Sequence, residues 1–124
     1  AMRYLTDRKR AVGRGAGHSG TEYHWAMKVS SVGLLLLVPA WVYVFGSALG
    51  GTRAEVVETF ARPFPAILTA LVLVVGMRHF AMGARTMIED YARGGTRKAL
   101  IIGAISLSYA VTATGLFALV RIAL

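Results

Sequence analysis

The sequence predicts an all-α integral membrane protein with three transmembrane helices, and three observations point to that class. Of its 124 residues, 56% are hydrophobic, and the mean hydropathy of +0.57 is too apolar for an ordinary soluble domain. The apolar residues gather into three runs of about 20 residues, the length that crosses a hydrocarbon core of about 30 Å. The basic residues flank those runs.

The polar, basic segment from Met2 to Gly20 has no apolar stretch of the kind a secretory signal carries, so no cleaved signal is expected. Met2 is the expected natural start. Residues 1–25 read as a cytoplasmic N-terminal segment and 26–124 as a membrane-anchor domain. The first span covers about 26–49 and has no charge after Lys28; Pro39 in its middle removes one helix hydrogen bond and predicts a kink. Residues 50–62 form the first connection. The second span covers about 64–90: it is apolar through Met77, then keeps a helical composition through Arg78, His79 and Arg85 to Asp90, longer than a bilayer requires. A second connection, 92–98, contains Gly94-Gly95 and leads to a third span over about 99–122, uncharged before Arg121. In that span Ala104, Ser108, Thr112 and Gly115 share a face and permit close helix approach in lipid, as do Ser30, Ser31 and Gly33 in the first. Trp25, Trp41, Tyr43 and Tyr4 are candidate interfacial aromatics.

Fourteen Lys and Arg against six Asp and Glu give a formal net charge of +8. The basic residues form no stripe interleaved with exposed aromatics, which argues against nucleic acid as a partner and leaves membrane topology and lipid headgroups. The N-terminal segment and the second connection carry most of the Lys and Arg, whereas in the first connection Arg53 and Arg62 balance Glu55 and Glu58. By the positive-inside rule the N-terminus is cytoplasmic, the C-terminus periplasmic, and the Asp90-Tyr91 end of the second helix lies at the cytoplasmic face. With no cysteine, the chain holds no disulfide, no thiolate-ligated cluster and no thiol nucleophile. Any metal it binds must be held by His or carboxylate.

An ionisable side chain inside a span is costly and usually faces a partner in the protein interior, which singles out His79. It lies about 24 Å along the helix from Pro63, in the cytoplasmic half of the bilayer. At 100° per residue His79, Gly83, Thr86 and Asp90 fall within about 40° of one another, with Gly76 near the same stripe. An imidazole between two glycines suits a flat macrocycle, the nitrogen as axial ligand and the small neighbours admitting the ring close to the backbone. It equally suits a buried histidine bonded to a carbonyl. Arg85 and Glu89 have the i, i+4 spacing of a helix ion pair, and Arg85 is also in reach of a haem propionate or an acidic lipid. About 16 to 18 Å beyond His79, Asp90 and Tyr91 place a carboxylate beside a phenol, a pair able to hydrogen-bond a quinone carbonyl and relay a proton, or simply to end a helix at the interface.

The run His79-Phe-Ala-Met-Gly83-Ala-Arg-Thr-Met-Ile-Glu-Asp90-Tyr91 resembles the second helix of the small membrane-anchor subunit, of the cytochrome b556 type, of bacterial and mitochondrial succinate dehydrogenases. There a His is followed by Gly four residues later and by Asp-Tyr at eleven and twelve, without a gap here. The stretches Gly20 to Ser31, Arg62-Pro-Phe-Pro65 and Ser108 to Phe117 are similar to alphaproteobacterial members, so the likeness covers most of the chain. The resemblance implies a three-helix anchor in the bacterial inner membrane, bundled with a larger three-helix cytochrome b subunit and carrying the flavoprotein and iron-sulfur subunits of complex II. It implies no succinate-oxidising chemistry in this chain. It assigns His79 as one axial ligand of haem b and Tyr91, supported by Asp90, to the ubiquinone site. His18 and His24 precede the first span, so the second axial ligand is expected from the larger subunit. Gly76, Gly83, Arg85, His24 and Lys28 are expected as haem neighbours; the propionate position of some relatives aligns with either Glu22 or His24. A purely structural anchor, a small transporter subunit and a quinol:fumarate reductase anchor are the rival classes.

Overall fold

The computed structural model describes residues 4, 6–13 and 20–124; Arg3, Arg14 and His18 lie outside them. Among the described residues there are five helices and no strand: α1 (Asp7–Gly13), α2 (Gly20–Ala48), α3 (Arg53–Ala61), α4 (Pro63–Tyr91) and α5 (Gly94–Ala123). α2, α4 and α5 are each long and apolar enough to cross a membrane.

Local chemistry explains the boundaries. α2 begins at Gly20, six residues before the apolar run, with Glu22 in its first turn, where a carboxylate meets the positive end of the helix dipole. The helix continues through Pro39, although Pro39 has no N–H to offer the carbonyl of Leu35. Past its end Gly50 takes a φ of +82°, a left-handed conformation that favours glycine. The first connection is more ordered than expected, because Thr52 and Glu55 form a capping box. The Glu55 N–H donates to Thr52 Oγ1 (3.3 Å) and the Thr52 N–H to Glu55 Oε2 (2.7 Å), which satisfies two donors and starts α3. Pro63 and Pro65 occupy the first turn of α4, where a missing N–H costs no intrahelical bond. Only Ala92 and Arg93 separate α4 from α5, and Gly94 makes the turn with a φ of +63°.

α4 is the central helix, with α2 packed on one side and α5 on another; α2 and α5 do not meet. α3 packs across the end formed by the start of α4 and the end of α5. This leaves almost no interior: among the described residues Val44, Pro65, Leu68 and Ser108 are the buried ones, while Leu35, Leu36, Phe64, Ile102 and Phe117 are exposed. In water such a surface would aggregate, but in lipid an apolar side chain need not be buried by protein. Association of the three long helices therefore depends on close approach and interhelical hydrogen bonds. Trp41 Nε1 donates to Thr69 Oγ1 across α2 and α4 (3.1 Å), and Thr69 donates onward to the Pro65 carbonyl (2.7 Å). Trp41 also stacks on Phe45, with centroids 4.9 Å apart.

The small-residue face expected on α5 meets α4. Ser108 is 6% exposed, and a Cβ at Gly115 would overlap the Leu73 side chain. Gly115→Ala is accordingly expected to force a new Leu73 rotamer and destabilise the helix pair by about 1 kcal/mol, the low end for overpacking because the atom it meets is the mobile end of a side chain. Thermal dissociation of the purified assembly measures this, and an unchanged midpoint would contradict the close approach.

Candidate functional site

α2 and α4 run antiparallel, and their register builds the site. Gly33 lies near Val75, Leu34 near Gly76, and Met27 near Gly83. The Cβ positions of Gly76 and Gly83 lie 3.9 Å from Leu34 Cδ2 and Met27 Cε respectively, ordinary van der Waals contacts of α2 on α4 on either side of His79.

Between those contacts, the half-buried His79 places Nδ1 2.9 Å from Ser30 Oγ. The Ser30 hydroxyl donates to the Met27 carbonyl on its own helix, also at 2.9 Å. A hydroxyl has one proton. When that proton goes to the Met27 carbonyl, Nδ1 carries the imidazole proton and donates it to Ser30 Oγ, which leaves a lone pair on Nε2. A neutral imidazole with one nitrogen pinned as a donor and the other free is the arrangement by which proteins present histidine to a metal.

Thr86, on the same face, donates to the Met82 carbonyl (3.0 Å) and lies 3.1 Å from the Tyr23 hydroxyl. Tyr23 also donates to the Met82 carbonyl, tying the start of α2 to α4. Sequence reasoning passed over Tyr23; its signal is the seven-residue spacing to Ser30, two helical turns on one face. His24 and Lys28 are exposed and lie about 100° or more around α2 from that face. Arg85 forms the expected ion pair with Glu89, Nε to Oε1 at 2.9 Å, on a different flank of α4 from His79.

At the end of α4, Asp90 and Tyr91 are exposed, Tyr91 by 88%. Neither makes a side-chain hydrogen bond or ion pair among the described residues. Asp90 continues the His79 stripe, whereas Tyr91 is turned by about 100° from it. The helix stops there because Ala92 adopts an extended conformation while its N–H still reaches the Ile88 carbonyl (2.9 Å).

A family model described as the succinate dehydrogenase/fumarate reductase transmembrane subunit matches residues 2–119. The chain belongs to that family. Over 123 residues it is 49% identical to the succinate dehydrogenase hydrophobic membrane anchor subunit of Paracoccus denitrificans, covering 99% of this chain and 95% of that protein. No solved structure matches it. The family membership expected from the His79 to Tyr91 run is thereby shown, together with its alphaproteobacterial character, and the three-helix all-α fold agrees with it. As a succinate dehydrogenase/fumarate reductase anchor subunit, the chain is an integral membrane component of a complex with other subunits. The broad apolar faces of α2 and α5 and the polar end of α4 suit that role.

Proposed function

We propose that His79 Nε2 of this subunit would hold the iron of a haem b and that Tyr91 and Asp90 form one wall of a ubiquinone-reduction site. The observation that carries this is the Ser30 to His79 hydrogen bond, because it engages Nδ1 and leaves Nε2 as the nitrogen without a protein partner, the arrangement a metal ligand requires. When bound, haem supplies a one-electron iron couple within the apolar layer. The larger cytochrome b subunit would supply the other iron ligand, and the iron-sulfur and flavoprotein subunits would deliver electrons from succinate. At the end of α4 the Tyr91 phenol donates a hydrogen bond to a quinone carbonyl, and the Asp90 carboxylate exchanges protons with the aqueous side.

The basic N-terminal segment and second connection orient the chain in the bacterial inner membrane with its N-terminus cytoplasmic and its C-terminus periplasmic. His24 and Lys28, exposed and without ion pairs among the described residues, are the candidates for a haem propionate, since the Arg85 guanidinium is held by Glu89. Succinate oxidation rather than fumarate reduction is favoured by the function named for the Paracoccus relative.

Ser30 offers a test that leaves the ligand itself in place. Ser30→Ala is expected to weaken haem retention about tenfold or more, by analogy with loss of hydrogen bonds behind metal ligands, and Ser30→Thr to restore much of it. Haem per flavin in the purified complex is the measurement. Equal haem content in the Ala variant and the wild type would contradict the tautomer argument.

A further inference from the structure

The seam between α4 and α5 holds a cleft of about 460 Å³ on the flank of α4 turned away from His79, with Tyr23 of α2 at its edge. Val74, Met77 and Ile105 make an apolar wall, and Arg78, Arg85 and Tyr109 bring polar groups to it. Arg78 and Arg85 are seven residues apart, so they lie within about 20° of one another on the helix surface and address the same strip.

Depth decides what that strip needs. Starting at Phe64, a hydrocarbon layer of about 30 Å takes about 20 residues and ends near Gly83. Arg85 falls just outside that boundary and is paired with Glu89 at 2.9 Å. Arg78 falls about 8 Å inside it and has neither an ion pair nor a hydrogen bond among the described residues. An unpaired guanidinium at that depth costs several kcal/mol unless it reaches an anion at the interface. Two arginines against one glutamate leave the cleft with a positive excess, and guanidinium groups bind phosphate oxygens in bidentate fashion.

We propose that this cleft binds one anionic phospholipid from the leaflet on the Tyr91 side, its phosphodiester on Arg78 with Arg85 adding to the field, and an acyl chain along Val74, Met77 and Ile105. A zwitterionic lipid fits less well because its headgroup cation returns positive charge to the site. The site is independent of haem ligation, which lies on another face of α4.

The purified complex, stripped of lipid in detergent, is titrated with phosphatidylglycerol or phosphatidylcholine, and lipid retained per anchor subunit is counted by native mass spectrometry. The wild type is expected to prefer phosphatidylglycerol by about tenfold or more, equivalent to about 1.4 kcal/mol. Arg78→Gln is expected to lose that preference and Arg78→Lys to keep part of it, with haem per flavin and the haem spectrum unchanged in both. Millimolar inorganic phosphate is expected not to displace the lipid. Equal retention of the two lipids by the wild type overturns the proposal, and this comparison decides even if Arg78→Gln fails to assemble. Full phosphatidylglycerol preference in Arg78→Gln, displacement by phosphate alone, or a haem spectrum altered in that variant, which would make a propionate the counter-ion, also overturns it.

Discussion

His79→Ala is expected to abolish the low-spin haem signal of the assembled complex, with the reduced-minus-oxidised difference falling at least about tenfold per flavin. The size follows from chemistry that no neighbour can replace. Cysteine is absent from the chain, His24 lies more than three turns of α2 before the Trp41 contact and faces away from α4, and the Ser30 hydroxyl cannot take over as a strong-field ligand. His79→Ala also leaves Ser30 Oγ without its donor, which is tolerable because Ser30 keeps its bond to the Met27 carbonyl. Folding of α2 against α4 should therefore survive, held by Trp41 with Thr69 and by Tyr23 with Met82. A normal low-spin spectrum in the variant would remove His79 from the iron.

Tyr91→Phe is expected to lower succinate-dependent ubiquinone reduction by about 100-fold, the lower end of what a positioned proton donor contributes, while leaving succinate oxidation with artificial dyes intact. The phenol is 88% exposed and makes no hydrogen bond within the described chain, so its removal should cost the fold little. That combination separates a role in quinone chemistry from a role in assembly. Equal loss of dye and quinone activities would assign Tyr91 to docking of the other subunits, and unchanged quinone turnover would return it to an interfacial tyrosine ending a helix.

The three long helices were legible because in lipid the solvent itself imposes a composition, and the apolar runs over 26–49, 64–90 and 99–122 fall on α2, α4 and α5, matching their C-terminal ends to within a residue while α2 and α5 begin six and five residues earlier. The polar extensions of those helices were less legible. Thr21, Glu22 and Tyr23 continue α2 outward in polar and aromatic residues that an apolar-run criterion ignores, yet Tyr23 makes one of the interhelical bonds. α3 was hidden in a charge-balanced stretch, although Thr52 followed three residues later by Glu55 carries the capping-box signature.

At the site, the Arg85–Glu89 pair could be read from spacing alone, since both partners lie on one helix. The Ser30–His79 bond could not. It depends on the antiparallel register of α2 on α4, in which Met27 lies beside Gly83 and Leu34 beside Gly76, tertiary packing that no single-helix periodicity encodes. Arg78 was visible as an intramembrane charge, but its strip became a cleft only once α5 was seen to lie beside it.

A density map of the intact membrane complex at side-chain resolution is the most direct test of the central claim. It is expected to show His79 Nε2 within coordinating distance of the haem iron, Nδ1 still bonded to Ser30, and the opposite axial position filled by a histidine of the larger subunit. An imidazole turned into lipid, or an iron ligated wholly by other chains, would contradict it.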